Sequence, residues 1–323
     1  MLEPKTLIEA VKHFADLNVC HQYMLALKWP NGVFVCPKCG SDKVGQIVTR
    51  RLLRCKACRK QFSAKVDTIF EDSPLGLDKW FVAVWCIANA KNGISSCEVT
   101  RALGVTQKTA WFMLHRIRVA MRTRCFRKFS GEVESDETFV GGKAANMHKS
   151  RRERAIQGRG AVGKAIVHGL LERAEGGTDK VSQVKASVVP NTDADTLMPE
   201  IARNVERDSQ LYTDAHASYS NAAEHWLHSW VDHLSAYVRG CVHTNGLENF
   251  WSLLKRGIKG SYVHVAAWHL CRYVDEEVFR FNERDKDDAG RFALVMQMLL
   301  GRRITYRQLC MIDGAGWFGG ILP

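Results

Sequence analysis

The segment TNGLENFWSLLKRG (Thr244 to Gly257) sets an acid, Glu248, and a base, Lys255, seven residues apart in an amphipathic helical pattern. At about 100° per residue, seven steps return almost to the starting direction. Asn245, Glu248, Ser252 and Lys255 therefore share one face, and Leu247, Phe250, Trp251 and Leu254 share another. Two more acids stand at strand ends: Asp136 in GEVESDETFVGGK and Asp214 in SQLYTDAHASYSN. Clustered carboxylates repel one another, so a fold tolerates them mainly where cations neutralise them. Two Mg²⁺ ions on such a cluster make a site for in-line phosphoryl transfer, one activating the attacking oxygen and the other stabilising the leaving oxygen. Taken singly, each acid also fits a cap or a surface residue.

The third ligand is a choice among Asn245, Glu248 and Asn249. A carboxylate adds the negative charge a divalent pair needs, whereas an amide supplies a dipole. Asn249 is rotated about 100° from the Glu248 face, toward the packed side. Asn245 reads more simply as an N-cap. Glu248 is preferred.

A second constellation is closed. Cys36 and Cys39 form one C-x-x-C pair, Cys55 and Cys58 another, and fifteen residues separate them. Four thiolates complete a tetrahedral shell for one structural Zn²⁺, which folds its module and does no chemistry. Gly40 frees the backbone after the first knuckle, and GQIVTRRLLRC reads as strands that bring the knuckles together. The other seven of the eleven cysteines are scattered, which suits reduced thiols better than a disulfide framework.

The elements that must carry these groups follow from periodicity and caps. Residues 77–122 are helical: LDKWFVAVWCIANAKNG, then a helix with the Ser95–Glu98 capping-box spacing ending at Gly104, then one with Thr106 as N-cap. Two helices joined by a short glycine-containing turn predict a helix-turn-helix, in which Gln107, Lys108 and Thr109 would meet base edges while Ala110, Met113, Leu114 and Ile117 face a core. A plain helical bundle has the same pattern. From residue 129 strands and helices alternate, predicting an α/β sheet of roughly five strands with helices on it. Strand-like segments are GEVESDETFVGGK, AIVHGLLE, VSQVKASVVP and SQLYTDAHASYSN; DADTLMPEIARNV is a helix with Asp193 or Asp195 near its cap.

Charge divides along the same line. Residues 1–128 carry 22 Lys+Arg against 9 Asp+Glu, a net of +13; residues 129–323 carry 24 against 25, a net of −1. Phosphate neutralisation, hence nucleic-acid binding, is the natural use of that excess. Between Lys143 and Lys164 lie seven Lys/Arg and one Glu, Arg151 and Arg152 among them: a loop gripping DNA phosphates, or a solvated loop without function. The longest apolar run, Trp80 to Ala90, is too short to span a bilayer, and the amino terminus lacks a signal layout, so a cytoplasmic protein is expected.

The order CxxC…CxxC, helix-turn-helix, VESDETFVGGK, LYTDAHASY and HTNGLENFWSLLKRGIKGSYVHV…HLCRYVDEEVFRFNER resembles zinc-ribbon DDE transposases of bacterial insertion sequences, a Merlin-related group. The resemblance runs from about Cys20 to Arg284. It implies an RNase H-like catalytic domain, a mixed sheet flanked by helices, after a zinc ribbon and a helix-turn-helix. Residue by residue it implies Asp136, Asp214 and Glu248 as ligands of two catalytic Mg²⁺, with Mn²⁺ able to substitute, and Lys255 as a DNA contact near the cut end. The organisation it suggests is a zinc-ribbon module with an N-terminal helix (1–74), a helix-turn-helix domain (75–128), a catalytic domain (129–290) and a tail without an assigned role (291–323). Implied partners are double-stranded DNA, as transposon ends and target, and at least a second copy of the chain on that DNA, with no membrane and a place on the bacterial nucleoid. The rival readings are a DNA-binding regulator derived from a transposase and an RNase H-like nuclease.

Overall fold

The structure, a computed structural model, describes residues 4–122, 127–141, 164–174, 181–231 and 243–310. They divide into two units: residues 4–122 with 286–310, and residues 127–285.

The first unit opens with helices α1 (Leu7–Phe14) and α2 (Leu17–Lys28), capped by the side chains of Thr6 and Asp16. A three-stranded antiparallel sheet follows, β1 (Val44–Ile47), β2 (Leu52–Cys55) and β3 (Gln61–Phe62), in the order β1-β2-β3. Pairing Val44 with Cys55 draws the second knuckle toward the first. Each knuckle turns through a left-handed residue, Gly40 (φ +71°) in one and Arg59 (φ +61°) in the other.

Helices α3 (Leu77–Asn89), α4 (Ser96–Leu103) and α5 (Gln107–Met121) come next. Ser95 and Glu98 form the reciprocal capping box that their spacing predicts, Gly104 ends α4 in the left-handed region, and the Thr106 hydroxyl caps α5. Ala110, Met113, Leu114 and Ile117 are buried.

Residues that had no role in sequence fold here too. Helices α9 (Asp288–Met298) and α10 (Tyr306–Leu309) belong to this unit, and the boundary drawn at 290/291 falls inside α9. The reason is packing: Phe292 meets Phe14 at 5.3 Å and Trp85 at 5.4 Å between ring centroids. Arg302 donates to the carbonyls of Val119, Ala120 and Arg122, satisfying the open end of α5.

The second unit is a five-stranded mixed sheet of β4 (Glu132–Val140), β5 (Ala165–Glu172), β6 (Gln183–Val189), β7 (Gln210–Asp214) and β8 (Leu227–Val231), ordered β6-β5-β4-β7-β8. β4 runs antiparallel to β5 and parallel to β7; β7 and β8 are parallel. One face packs against α6 (Ala194–Asn204) through Val133, Leu170, Leu197, Ile201 and Leu211. The other packs against α7 (Asn245–Gly257) and α8 (Leu270–Asn282) through Val140, Leu171, Leu247, Phe250, Trp251 and Val278. This mixed sheet with helices on both faces is compatible with an RNase H-like fold. Asn282 at the end of α8 pairs with both the N–H and the C=O of Val184, holding that helix to edge strand β6. No helix among the described residues is long and apolar enough to cross a membrane.

Candidate active site

The parallel ladder between β4 and β7 runs from Glu132–Gln210 to Glu134–Tyr212. Continued two residues past its last pair, that register would bring Asp136 opposite Asp214. Alternation turns both side chains to the face covered by α7. Asp136 was expected at a strand end; it lies mid-strand in β4, paired with Gly169 of β5. What ends beside it is the β7 strand, at Asp214, and that opens the space the carboxylates occupy.

Helix α7 crosses above. Its Trp251 indole N–H donates to Asp136 Oδ2 at 2.9 Å. A Cβ on Gly169 would lie 2.6 Å from Trp251 Cη2, so only glycine leaves room for the indole there. Burial pushes the Asp136 carboxyl up to about 6; the Trp251 bond opposes that, while the charges of Asp214 and Glu248 add to it. Both other acids therefore act on Asp136. Asp214 has one oxygen, Oδ1, tied to the backbone N–H of His216 at 3.1 Å. Glu248 is exposed in the first turn of α7. Burial lowers Lys255, with Lys259 and Lys164 pushing the same way and Asp136 opposing them. Lys255 is thus the lysine that feels Asp136, with Lys164 and Lys259 near it.

On the opposite face of β4 a buried polar chain runs beneath the site. His168 Nε2 and Ser135 Oγ lie 3.0 Å apart, Ser135 Oγ and the Tyr219 hydroxyl 3.1 Å apart, and the Tyr219 hydroxyl donates to Glu137. Burial pushes the Glu137 carboxyl up to about 7.

The four cysteines of the ribbon form a different kind of site. Cys36 and Cys58 sulfurs are 3.7 Å apart, Cys39 and Cys55 sulfurs 3.6 Å, and all four lie within 4.8 Å of one another. A tetrahedron with metal–sulfur bonds of about 2.3 Å has edges of about 3.8 Å, so the shell fits Zn²⁺. The backbone N–H of Cys58, then that of Ala57, draws the Cys55 thiol down to about 6, whereas at Cys39 the Ser41 amide is outweighed by the neighbouring thiols, which push it up to about 12. Among the described residues only these cysteines bring three or more ligand atoms that close; the carboxylates are a more open set. None of the described cysteines is in a disulfide.

Two families match the chain in series. The transposase zinc-ribbon domain matches residues 18–61, which hold the four cysteines, and the ISXO2-like transposase domain matches residues 128–282, which hold Asp136, Asp214, Glu248 and Lys255. These matches, in that order, support a zinc-ribbon DDE transposase. A protein of Halobacterium salinarum, described as an uncharacterized protein in transposable element ISH50, is 27% identical over 258 residues, covering 76% of this chain and 84% of that one. An uncharacterized transposase-like protein of Haemophilus influenzae is 28% identical over 120 residues, 37% of this chain and 95% of its own. No solved structure matches.

The structure alters several readings of α7. Trp251, grouped in sequence with the packing face, is buried but also holds Asp136. Asn249, expected toward the packed side, is exposed. Asn245 is not the N-cap: Thr244 holds that position without a side-chain cap bond, and Asn245 is the first helical residue. The amide of Leu247 is bound instead by Glu134 of β4, at 2.9 Å, a contact between residues 113 apart in sequence. No local spacing could have signalled it.

The three residues proposed to meet bases stand at the start of α5, and each has an internal contact. Gln107 Nε2 donates to Ser96 Oγ at 2.8 Å, Lys108 lies 5.2 Å from the Tyr306 ring centroid, and Thr109 Oγ1 is 2.8 Å from Thr106 Oγ1. Gln107 and Lys108 remain exposed. Arg151 and Arg152 lie outside the described residues.

Proposed function

We propose that the protein binds the terminal inverted repeats of its element and catalyses metal-dependent strand cleavage and strand transfer, with Asp136, Asp214 and Glu248 as the ligands of two Mg²⁺ ions. The observation that carries this reading is that Asp136 on β4, Asp214 at the end of the adjacent parallel strand β7, and Glu248 on α7, whose Trp251 bonds Asp136 at 2.9 Å, bring three mutually repelling carboxylates to one side of the sheet. Such mutual repulsion is relieved by divalent cations, and an all-oxygen carboxylate set suits Mg²⁺ or Mn²⁺.

When bound, the cations would polarise the scissile phosphate and stabilise the attacking and leaving oxygens. The chain's own groups orient that chemistry. Trp251 fixes Asp136 through Oδ2, and the His216 amide fixes Asp214 through Oδ1. Lys255, with Lys164 and Lys259 beside it, supplies positive charge for DNA phosphates at the edge of the acids. In cleavage a water oxygen bonds to phosphorus as the bond to the 3′ oxygen breaks, leaving a 3′-hydroxyl and a 5′-phosphate. In transfer that hydroxyl bonds to a target phosphorus and displaces its 3′ oxygen. The basic first 128 residues would supply end binding, with Gln107, Lys108 and Thr109 as base contacts, on a complex of at least two chains.

The test is Glu248→Gln beside Asn245→Ala, assayed on duplexes carrying the element's own ends. Glu248→Gln is expected to abolish cleavage and joining while end binding persists, and Asn245→Ala to retain both. Near-normal Mg²⁺-dependent cleavage by Glu248→Gln would overturn the ligand assignment, and the regulator reading gains if wild type binds ends without cutting them.

A further inference from the structure

Glu134 stands two residues before Asp136 on the same face of β4, and its side chain is 1% exposed. A carboxylate so deeply buried must have its oxygens satisfied. Oε2 accepts the backbone N–H of Leu247 in the first turn of α7 at 2.9 Å, and Oε1 accepts Arg173 Nε at 2.8 Å. Arg173 in turn donates from Nη2 to the carbonyl of His243, just before the helix, at 2.7 Å, and to His243 Nδ1 at 2.9 Å. Since guanidinium only donates, Nδ1 accepts, and the 3.5 Å approach of Nδ1 to Glu134 Oε1 is not a hydrogen bond. The guanidinium also rests 4.4 Å from the Tyr212 ring centroid and reaches Glu132.

We infer that Glu134 is a positioning residue that seats the N-terminus of α7 and thereby sets where Glu248 stands. Helix α7 has no side-chain cap of its own; the cap comes across the sheet, and a negative group there also suits the positive end of the helix. Gly246 carries the complementary mark. A Cβ at that position would lie 2.8 Å from Glu134 Oε2 and 2.9 Å from Leu171 Cδ1, so the helix start approaches the carboxylate as only glycine allows. Glu248 follows one residue after the bonded amide, and Asp136 lies two residues, roughly 6.7 Å, along β4 from Glu134. One strand therefore spaces two of the three acids. Arg173 completes the seat by holding both the carboxylate and the chain entering the helix.

The inference rests on the reading of Glu248 as a metal ligand. Its test uses the full-length, zinc-loaded protein, with Mn²⁺ binding followed by electron paramagnetic resonance, beside the Mg²⁺ dependence of end cleavage. In Glu134→Gln, two donors converge on a group that offers one acceptor and one donor, so the seat is broken at constant volume. Gly246→Ala crowds it from the helix side while leaving every carboxylate in place. Each is expected to weaken Mn²⁺ binding and raise the half-saturating Mg²⁺ concentration by about ten-fold or more, as loss of a supporting contact behind a metal ligand does. Ile201→Val, in the core on the other face of the sheet, should lower thermal stability without that shift. If Glu134→Gln and Gly246→Ala shift metal binding no more than Ile201→Val does, while Glu248→Gln abolishes it, the positioning role is wrong and the ligand assignment stands. If Glu248→Gln leaves Mn²⁺ binding intact, the ligand assignment itself is wrong.

Discussion

Trp251 and Asp136, 115 residues apart in the chain, are joined by one hydrogen bond of 2.9 Å from the indole nitrogen to Oδ2. The bond ties α7 to the middle of β4 and lowers a carboxyl that burial alone would raise further. Trp251→Phe keeps most of the buried ring and removes the donor. A hydrogen bond to a charged group is worth about 1.5–3 kcal/mol. End cleavage should therefore fall roughly ten- to hundred-fold, with binding of end DNA unchanged in a gel-shift assay.

His168 takes up its proton at lower pH than an ordinary surface histidine. It is buried against Ser135, and burial lowers its pKa to about 4 from the usual 6.5. The unfolded chain therefore binds a proton that the folded chain refuses between those values. The stabilisation is complete above pH 6.5 and is lost progressively as pH falls from 6.5 to about 4, by roughly 3 kcal/mol at most. Urea unfolding at pH 7.5 and pH 5 should show it as a difference: His168→Gln loses less stability on acidification than wild type. Equal pH dependence of the two proteins would refute it.

The zinc ribbon gives a compositional test. Purified protein should carry one Zn²⁺ per chain, and Cys55→Ser should lose the metal and unfold the amino-terminal module, read by metal analysis and limited proteolysis. Ligand loss is that costly because metal binding is much of such a module's folding free energy. Well-folded protein without zinc would contradict the assignment.

At the start of α5, Gln107→Ala and Lys108→Ala are each expected to weaken binding to the element's ends more than to random duplex. Losses equal on both DNAs would mean contacts to phosphate alone. Lys108→Ala should also reduce the salt dependence of binding by about one unit of slope if it touches a phosphate.

What could be read without coordinates was local. Ser95 with Glu98, Thr106, Gly104 and the two C-x-x-C pairs act within a few residues of themselves, so their spacing carries their geometry. The periodicity of residues 244–257 likewise showed the buried stripe of Leu247, Phe250, Trp251 and Leu254. The fifth strand, Leu227–Val231, escaped because it is five residues at a sheet edge with Leu227 and Trp230 exposed, which leaves little alternation to detect. The carboxy-terminal helices escaped because their apolar residues pack against helices far back in the chain, Phe292 on Phe14 and Tyr306 on Phe112 among them.

The sequence by itself determined the four-cysteine cluster and the capped helices α4 and α5, because residue type and short-range spacing decide both. It also pointed to a family, because several such motifs stand in one order. Only the tertiary structure decided that Asp136 lies mid-strand beside the end of β7, that Trp251 holds it, and that Glu134 rather than Asn245 caps the helix bearing Glu248. Those three facts are pairings across the sheet. Register and helix docking create them, and neither leaves a periodic trace in the chain.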